Sequence, residues 1–247
     1  MAMTFGGTAS ATGTNVTTLT TGSITATPTA GSTLSVWVRW TKDTSESLST
    51  VTDNYSNTYT QRGGTLLSAG EGLVEFQAIN IATGAAHTVT ATWSGNTTGI
   101  KMAVVELKGA HTTTPFDAVA PASDIYLQAT PGTGANAVGN TNTVTPSQNG
   151  SAILGGVAVG DSSDIAVGTG FTKLVEVGNG LIVEGLIQTT AAAQAGTFTC
   201  VTSSQTTRSL TIANLPAAAA ASGAGGLTDN RVFGALVGKG LVHACNS

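Results

Sequence analysis

Three carboxylates are the first place to look for chemistry in this 247-residue chain. Glu75, Glu106 and Glu184 each lie in an apolar, alternating stretch. A pair of carboxylates sharing one cleft can serve glycoside hydrolysis as acid and as base or nucleophile. Glu75 and Glu184 also end similar words, Gly72-Leu73-Val74-Glu75 and Gly180-Leu181-Ile182-Val183-Glu184, and so take matching places in a faint internal echo. The plainer reading, and the expectation here, makes them outward-facing strand residues. Histidine adds little. His87 sits in a Thr-rich strand beside a turn and reads as an exposed strand residue, not a base; His111 lies in a Thr-rich loop and His243 near the end. Asp53, Asn54 and Asn57, and separately Asp161 and Asp164, offer oxygen ligands for calcium. No EF-hand or glycine–aspartate repeat surrounds them, and Asx residues are ordinary turn formers. HExxH, CxxC, GxSxG and GxxxxGK[ST] sequences are all missing. The reading is no catalytic residue, no metal ligand and no cofactor.

The elements that would position such residues are strands. Apolar residues recur at period two, with Thr, Ser, Gly and Asn between them. Val36, Val38 and Trp40 alternate against Ser35, Trp37 and Arg39, so residues 35–40 form a strand with Trp37 on the face opposite Trp40. Asp53-Asn54 and Asn57 mark a hairpin connection between residues 51–54 and 58–61. Further strands are expected at 73–79, 87–93 and 101–107, with Gly95-Asn96 breaking the last two apart, and at 151–159, 165–167, 171–177, 181–187, 196–202 and 209–215. Residues 111–142 read as a loose crossing or exposed loop. Strands at this spacing mean an all-β antiparallel sandwich of jelly-roll or immunoglobulin-like type. The echo suggests two related Greek-key halves or two small sandwiches. Residues 1–24 are expected to form an arm or edge strand, 25–215 the sandwich, 216–226 an Ala/Gly linker, and 227–247 an apolar tail. That tail docks either on its own sandwich or on a neighbouring subunit.

Composition narrows the partners. Charged residues are 9% and the net charge is −4, so no basic stripe exists to replace phosphate counterions, and nucleic acid is not expected. Hydrophobic residues make up 40%, against 5% aromatics, which gives a core of small aliphatics and a surface of Thr, Ser and Asn. Copies with so few charges repel weakly, which suits dense packing in an assembly. No apolar run is long enough to span a membrane, and the first residues carry no secretion-signal pattern. Cys200 and Cys245 are too few for a disulfide scaffold. Free thiols are the expectation for a chain made in the cytoplasm, with a bond tethering the tail as the alternative.

The stretch Val51-Thr52-Asp53-Asn54-Tyr55-Ser56-Asn57-Thr58-Tyr59-Thr60 resembles an Asp-x-x-Gly-Asn-Thr-Tyr hairpin found in β-sandwich proteins of tailed bacteriophages and of bacterial surfaces, with Ser56 where glycine is commoner. The order of residues 74–90, Val104-Val105-Glu106-Leu107-Lys108-Gly109 and Gly170-Phe171-Thr172 are similar to the same pattern, over roughly residues 30–215. The resemblance implies a structural protein such as a capsid decoration (cement) protein. It would be a homo-oligomer bound to the major capsid or another virion protein, located on the virion after synthesis in the host cytoplasm. It would bind through flat polar faces, exposed aliphatics and the termini. Candidate assembly residues are Trp37, Val232, Phe233, Leu236, Val237, Leu241 and Val242. The alternative is a carbohydrate-binding or adhesive module on an extracellular surface or fibre.

Overall fold

A strand buried on one face alternates; a strand buried on both faces hides its polar residues too. β3 (Thr33–Thr41) is of the second kind, with Ser35, Trp37 and Arg39 as buried as Val36, Val38 and Trp40. The computed structural model describes residues 2–41, 46–68, 71–117, 122–128, 136–139, 143–159, 165–178, 180–200 and 206–216. These residues form an all-β, antiparallel structure, and the layers stacked around β3 explain its double burial.

The first half contains β1 (Thr4–Gly13), β2 (Val16–Thr20), β3, β4 (Leu48–Asp53), β5 (Tyr59–Ser68), β6 (Glu71–Ala78) and β7 (Val89–Lys108). The second contains β8 (Ala122–Gln128), β9 (Asn136–Gly139), β10 (Ala152–Val159), β11 (Ile165–Val167), β12 (Thr172–Val177), β13 (Leu181–Ile187), β14 (Thr197–Cys200) and β15 (Thr206–Asn214). One inner sheet runs β1-β7-β3-β6-β5 and the other β8-β15-β10-β13-β12. Each is backed by an outer layer, β2-β7-β4 in one half and β9-β14-β11 in the other. Strand for strand the two orders are the same, provided β7 is counted twice. Its first part pairs with β2 and β4 up to Thr97, and its second part pairs with β1 and β3 from Thr98 onward. The echo in the sequence is therefore a duplication of architecture: two sandwiches packed inner sheet to inner sheet.

Two expectations change here. Gly95-Asn96 does not end a strand; β7 continues and passes from the outer layer to the inner sheet close by. Gly99 takes φ +56° at that crossing, and its carbonyl accepts a hydrogen bond from Arg39 Nη1 at 2.8 Å. A glycine tolerates this backbone at no steric cost. Of the two expectations for residues 1–24, an arm or an edge strand, the second is found: β1 forms the edge of the inner sheet and β2 the edge of the outer layer. Within 111–142, β8 and β9 are edge strands of the second sandwich.

Three cores result. Val36, Val38, Trp40, Trp93, Met102 and Val104 fill the first sandwich, while Val157, Val159, Ile165, Ile182 and Phe198 pack inside the second. Between the inner sheets, Trp37, Leu73, Val105 and Leu107 meet Leu154, Val183, Leu210 and Ile212. Trp37 is 0% exposed, so it belongs to the joint between halves and is corrected from an outward contact. The sequence places Trp37 between Ser35 and Arg39 on the second face of β3 but does not show what covers that face. The tail candidates Val232, Phe233, Leu236, Val237, Leu241 and Val242 lie outside the described residues, as does Cys245. No helix among the described residues is long and apolar enough to cross a membrane.

Candidate functional site

The richest polar cluster closes the β4–β5 connection. Asp53, the last residue of β4, accepts five hydrogen bonds. Oδ1 receives the backbone N–H groups of Tyr55 and Asn57, each at 3.0 Å. Oδ2 receives Asn57 Nδ2 at 2.7 Å, the Tyr59 hydroxyl at 2.9 Å and His87 Nε2 at 3.0 Å. On the other side of the ring, His87 Nδ1 is 3.0 Å from Thr83 Oγ1. A carboxylate only accepts, so Nε2 donates to Asp53, while Nδ1 faces a hydroxyl that can either donate or accept. Burial pushes the Asp53 carboxyl up, but the hydrogen bonds from Asn57, His87 and Tyr59 outweigh it and hold the group below its ordinary value. Tyr59 is pushed the opposite way, by burial and then by the Asp53 charge.

The order Thr83–His87–Asp53 is that of a nucleophile, base and orienting acid. Here the acid and the base are closed off. The Asp53 and His87 side chains are 0% exposed, the Tyr55 ring lies 4.8 Å from the imidazole, and the Tyr55 hydroxyl is fixed to the Ala85 carbonyl at 2.7 Å. No face of the base is open to a substrate. The cluster ties the β4–β5 turn to the β6–β7 loop, helped by Asn54, which bonds Ala86 and Thr88, and by Asn57, which bonds Ala82 through both polar atoms. The expectation of an exposed His87 is thus corrected. His87 and Thr83 are also the members that sequence spacing could not supply, because their partner lies on another hairpin. Asp53, Asn54 and Asn57, read as possible calcium ligands, direct their polar atoms to protein donors and acceptors. Asp161, Asp164 and His243 lie outside the described residues, and no group of three or more His, Cys, Asp or Glu that could hold a metal occurs among those described. Asp53→Asn replaces one of these accepting oxygens with an N–H₂ group that faces donors. It is expected to lower the urea-unfolding free energy by about 2–3 kcal/mol.

The resemblance pattern has glycine where this chain has Ser56, and the backbone gives the reason. Ser56 has φ +59°, a conformation that costs a residue with a Cβ roughly 1–2 kcal/mol. Ser56→Gly is expected to raise stability by about 0.5–1 kcal/mol after the entropy of the added glycine is counted, read as a higher urea midpoint at unchanged slope.

The three glutamates do not share a cleft. All are 0% exposed, which corrects their reading as outward residues. Glu106 points into the first sandwich, where Oε1 accepts from Thr29 N at 2.6 Å and Oε2 from Gly7 N at 3.0 Å. Glu184 points into the second and accepts from Thr197 N at 3.0 Å and Gly168 N at 2.9 Å. Both serve as ties between backbone segments. Glu75 faces the joint instead, with Oε1 accepting from Ser35 Oγ at 2.6 Å. Beside it, Gln77 Nε2 donates to Asn214 Oδ1 at 2.8 Å, across from one half to the other. Glu75 and Glu184 lie on matching strands, yet the second word holds one residue more, Ile182. One residue inverts the face in a period-two strand, so the two carboxylates look in opposite directions.

No protein-family model, curated protein or solved structure matches this chain. Its surfaces must carry the functional reading.

The outer layer of the first sandwich presents an ordered, uncharged face. Thr18 pairs with Thr92 and Thr92 with Thr50, while Thr20 pairs with Thr90 and Thr90 with Thr52. These six threonines form two cross-strand rows of three over the buried Val51, Ala91 and Trp93. Thr20 and Thr90 hydroxyls bond each other at 2.8 Å. Thr18, Thr20, Thr50 and Thr52 are exposed. Methyl and hydroxyl groups side by side on a pleat need little desolvation and make hydrogen bonds either to water or to a partner. His111, the remaining described histidine, is half-buried and caps its own loop through contacts with Thr113 and Thr114.

Proposed function

We propose that this chain is a non-catalytic structural protein of a bacteriophage particle, of immunoglobulin-like or jelly-roll type, which decorates or cements the capsid through subunit contacts. The threonine face of β2, β7 and β4 carries this reading: it is regular, free of charge and backed by a rigid core. Further support comes from the use of Asp53, Glu106 and Glu184 as internal ties, and from the resemblance of the Asp53 hairpin to those of phage sandwiches. A protein that binds only the assembled lattice stabilises it by mass action, each copy adding the free energy of its contacts. Copies with a net charge of only −4 pack against one another with little repulsion.

The test is binding to density-banded particles from the source culture, read by antibody labelling in electron microscopy and by copy number in quantitative mass spectrometry. The expected result is regular labelling of heads at a fixed ratio to the major capsid protein. The double substitution Thr50→Glu and Thr52→Glu, which puts charge on the exposed face, is expected to cut bound copies about tenfold. Absence from particles, or binding to a glycan array with the same face required, would overturn the proposal in favour of an adhesive module.

A further inference from the structure

Between residues 2 and 216 the chain passes from one sandwich to the other once, since β1 to β7 build the first half and β8 to β15 the second. Lys108, at the end of β7, still pairs with Thr4 of β1. Ala110 already pairs with Pro216, and the N–H groups of His111 and Asp117 donate to the carbonyls of Leu215 and Ala213 in the second half, each at 3.0 Å. Gly109 is the residue between, and it has φ +71°. Hinges are a few element-terminal residues that absorb a backbone rotation, and glycine has the widest choice of conformations for one. Gly109 also borders an open cleft of about 580 Å³ whose other walls include Ala2, Ala30, Gly31 and Ala110. Little bulk stands in the way of a rotation there.

The side chains that fasten the joint stand in rows at increasing distance from Gly109. Gln77 shares a cross-strand row with Ser35 and Val105, and donates across the joint to Asn214. Trp37 lies in the next row, with Glu75 and Ala103, and rests on Gly156. Arg62 pairs with Glu75 in that row, its guanidinium 4.8 Å from the ring centre of Phe116. The row beyond holds Lys101, Arg39 and Leu73. There Lys101 Nζ donates to the carbonyl of Gly178, in the turn between β12 and β13. Gly180 makes room for the lysine, because an added Cβ would lie 2.9 Å from Lys101 Cε. At about 3.3 Å per residue, Lys101 and Gly109 stand roughly 26 Å apart along the strand direction, so this contact acts on a long lever arm.

Opening the joint leaves both sandwiches intact. Val36, Val38 and Trp40 on one side, and Val157, Ile182 and Phe198 on the other, pack in cores of their own. Opening also returns water to Trp37 Nε1 and Asn214 Nδ2, two donors buried there without an acceptor, which offsets part of the loss of apolar contact.

We propose that the two sandwiches are rigid halves hinged at Gly109, and that the contact of Lys101 with the Gly178 carbonyl is the latch that holds the far end of the joint shut. The device concerns motion within one chain and is independent of the virion reading.

The test uses the full chain with one cysteine added at a buried alanine: Ala103→Cys in the joint, Ala91→Cys in the first sandwich or Ala213→Cys in the second. Alkylation by N-ethylmaleimide under native conditions, read by peptide mass spectrometry, separates each site from the natural cysteines. The site at 103 is expected to react at least about tenfold faster than those at 91 and 213, because a hinge opens at less cost than a core unfolds. Lys101→Met keeps an unbranched chain but removes the donor, and Gly180→Ala displaces the lysine from the opposite half. Each is expected to speed alkylation at 103 by about a further tenfold, the effect of losing one hydrogen bond, and to leave 91 and 213 unchanged. Equal rates at the three sites would overturn the proposal, because the joint would then open only when the cores do. So would latch variants that leave the rate at 103 unchanged or raise all three rates together.

Discussion

Trp37→Ala is expected to lower the unfolding free energy by about 3–5 kcal/mol, the range for truncating a buried aromatic residue. The site gives little room for collapse, because the indole lies between two sheets, not at the rim of one. It rests on Gly156 of β10, where an added Cβ would come within 2.2 Å of two ring carbons. Gly156→Ala is therefore expected to destabilise as well, by about 1–3 kcal/mol through overpacking. The two changes are not independent. With Trp37→Leu in place, the space above Gly156 is no longer filled by the indole, and Gly156→Ala should cost at least about 1 kcal/mol less than it does alone. Urea unfolding of Trp37→Ala and of the four proteins of this cycle checks these effects. Equal costs in both backgrounds would mean that the ring moves aside freely and that the joint between the halves is not close-packed there.

Stability is also expected to fall as pH rises from about 4.5 to 8, through Glu75. Burial pushes its carboxyl up to about 8, while the hydrogen bonds of Ser35 and Gln77 and the charge of Arg62 act the other way without overcoming it. The unfolded chain releases this proton near the ordinary value of 4.5, but the folded chain keeps it to about 8. Folding in that window takes up a proton. The stabilisation is complete below about 4.5 and is lost as pH rises through 8, at up to roughly 1.4 kcal/mol per pH unit. Glu184, pushed up to about 7 by burial against the hydrogen bonds of Gly168 and Thr197, adds a slope of the same sign over a narrower window. Asp53 opposes both only in acid. Its carboxyl is held below 3.8, so its contribution is present above that value and lost as pH falls through the folded one. The expected stability maximum therefore lies near pH 4–5, lower than the usual range of about 5–8. Glu75→Gln keeps the shape and removes the proton, so its unfolding free energy should change less between pH 5 and 8, by about 3 kcal/mol or more. A wild-type profile that is flat over this interval would show that the joint admits enough water to hold Glu75 ionised.

Much of the secondary structure is legible from local pattern. Period-two alternation gives β11 and β13 their observed bounds and places β3, β6 and β10 to within two residues, because side-chain direction in a strand depends only on its neighbours. The Asp53 turn is legible for the same reason: Asx residues bond the backbone a few positions on, and Asp53 accepts from the N–H groups of Tyr55 and Asn57. Local pattern has no access to distant partners, and there it misleads. Gly95-Asn96 reads as a break, although pairing with four different strands carries β7 through it. His87 reads as exposed because Asp53 lies 34 residues away in the chain.

The sequence by itself determined the all-β class, the positions of strands such as β3, β6, β10, β11 and β13, the charge-poor surface and the presence of a duplicated pattern. Each of these rests on composition or on interactions spanning a few residues. Only the tertiary structure decided which faces are interior. Stacking two sandwiches inner sheet to inner sheet buried the second face of β3 with Trp37. It turned Glu75 into the joint and Glu184 into the second core through a single extra residue, Ile182. It also closed Thr83, His87 and Asp53 into one tie and left the threonine face outside. Burial depends on what covers a surface, and the covering elements here come from distant parts of the chain.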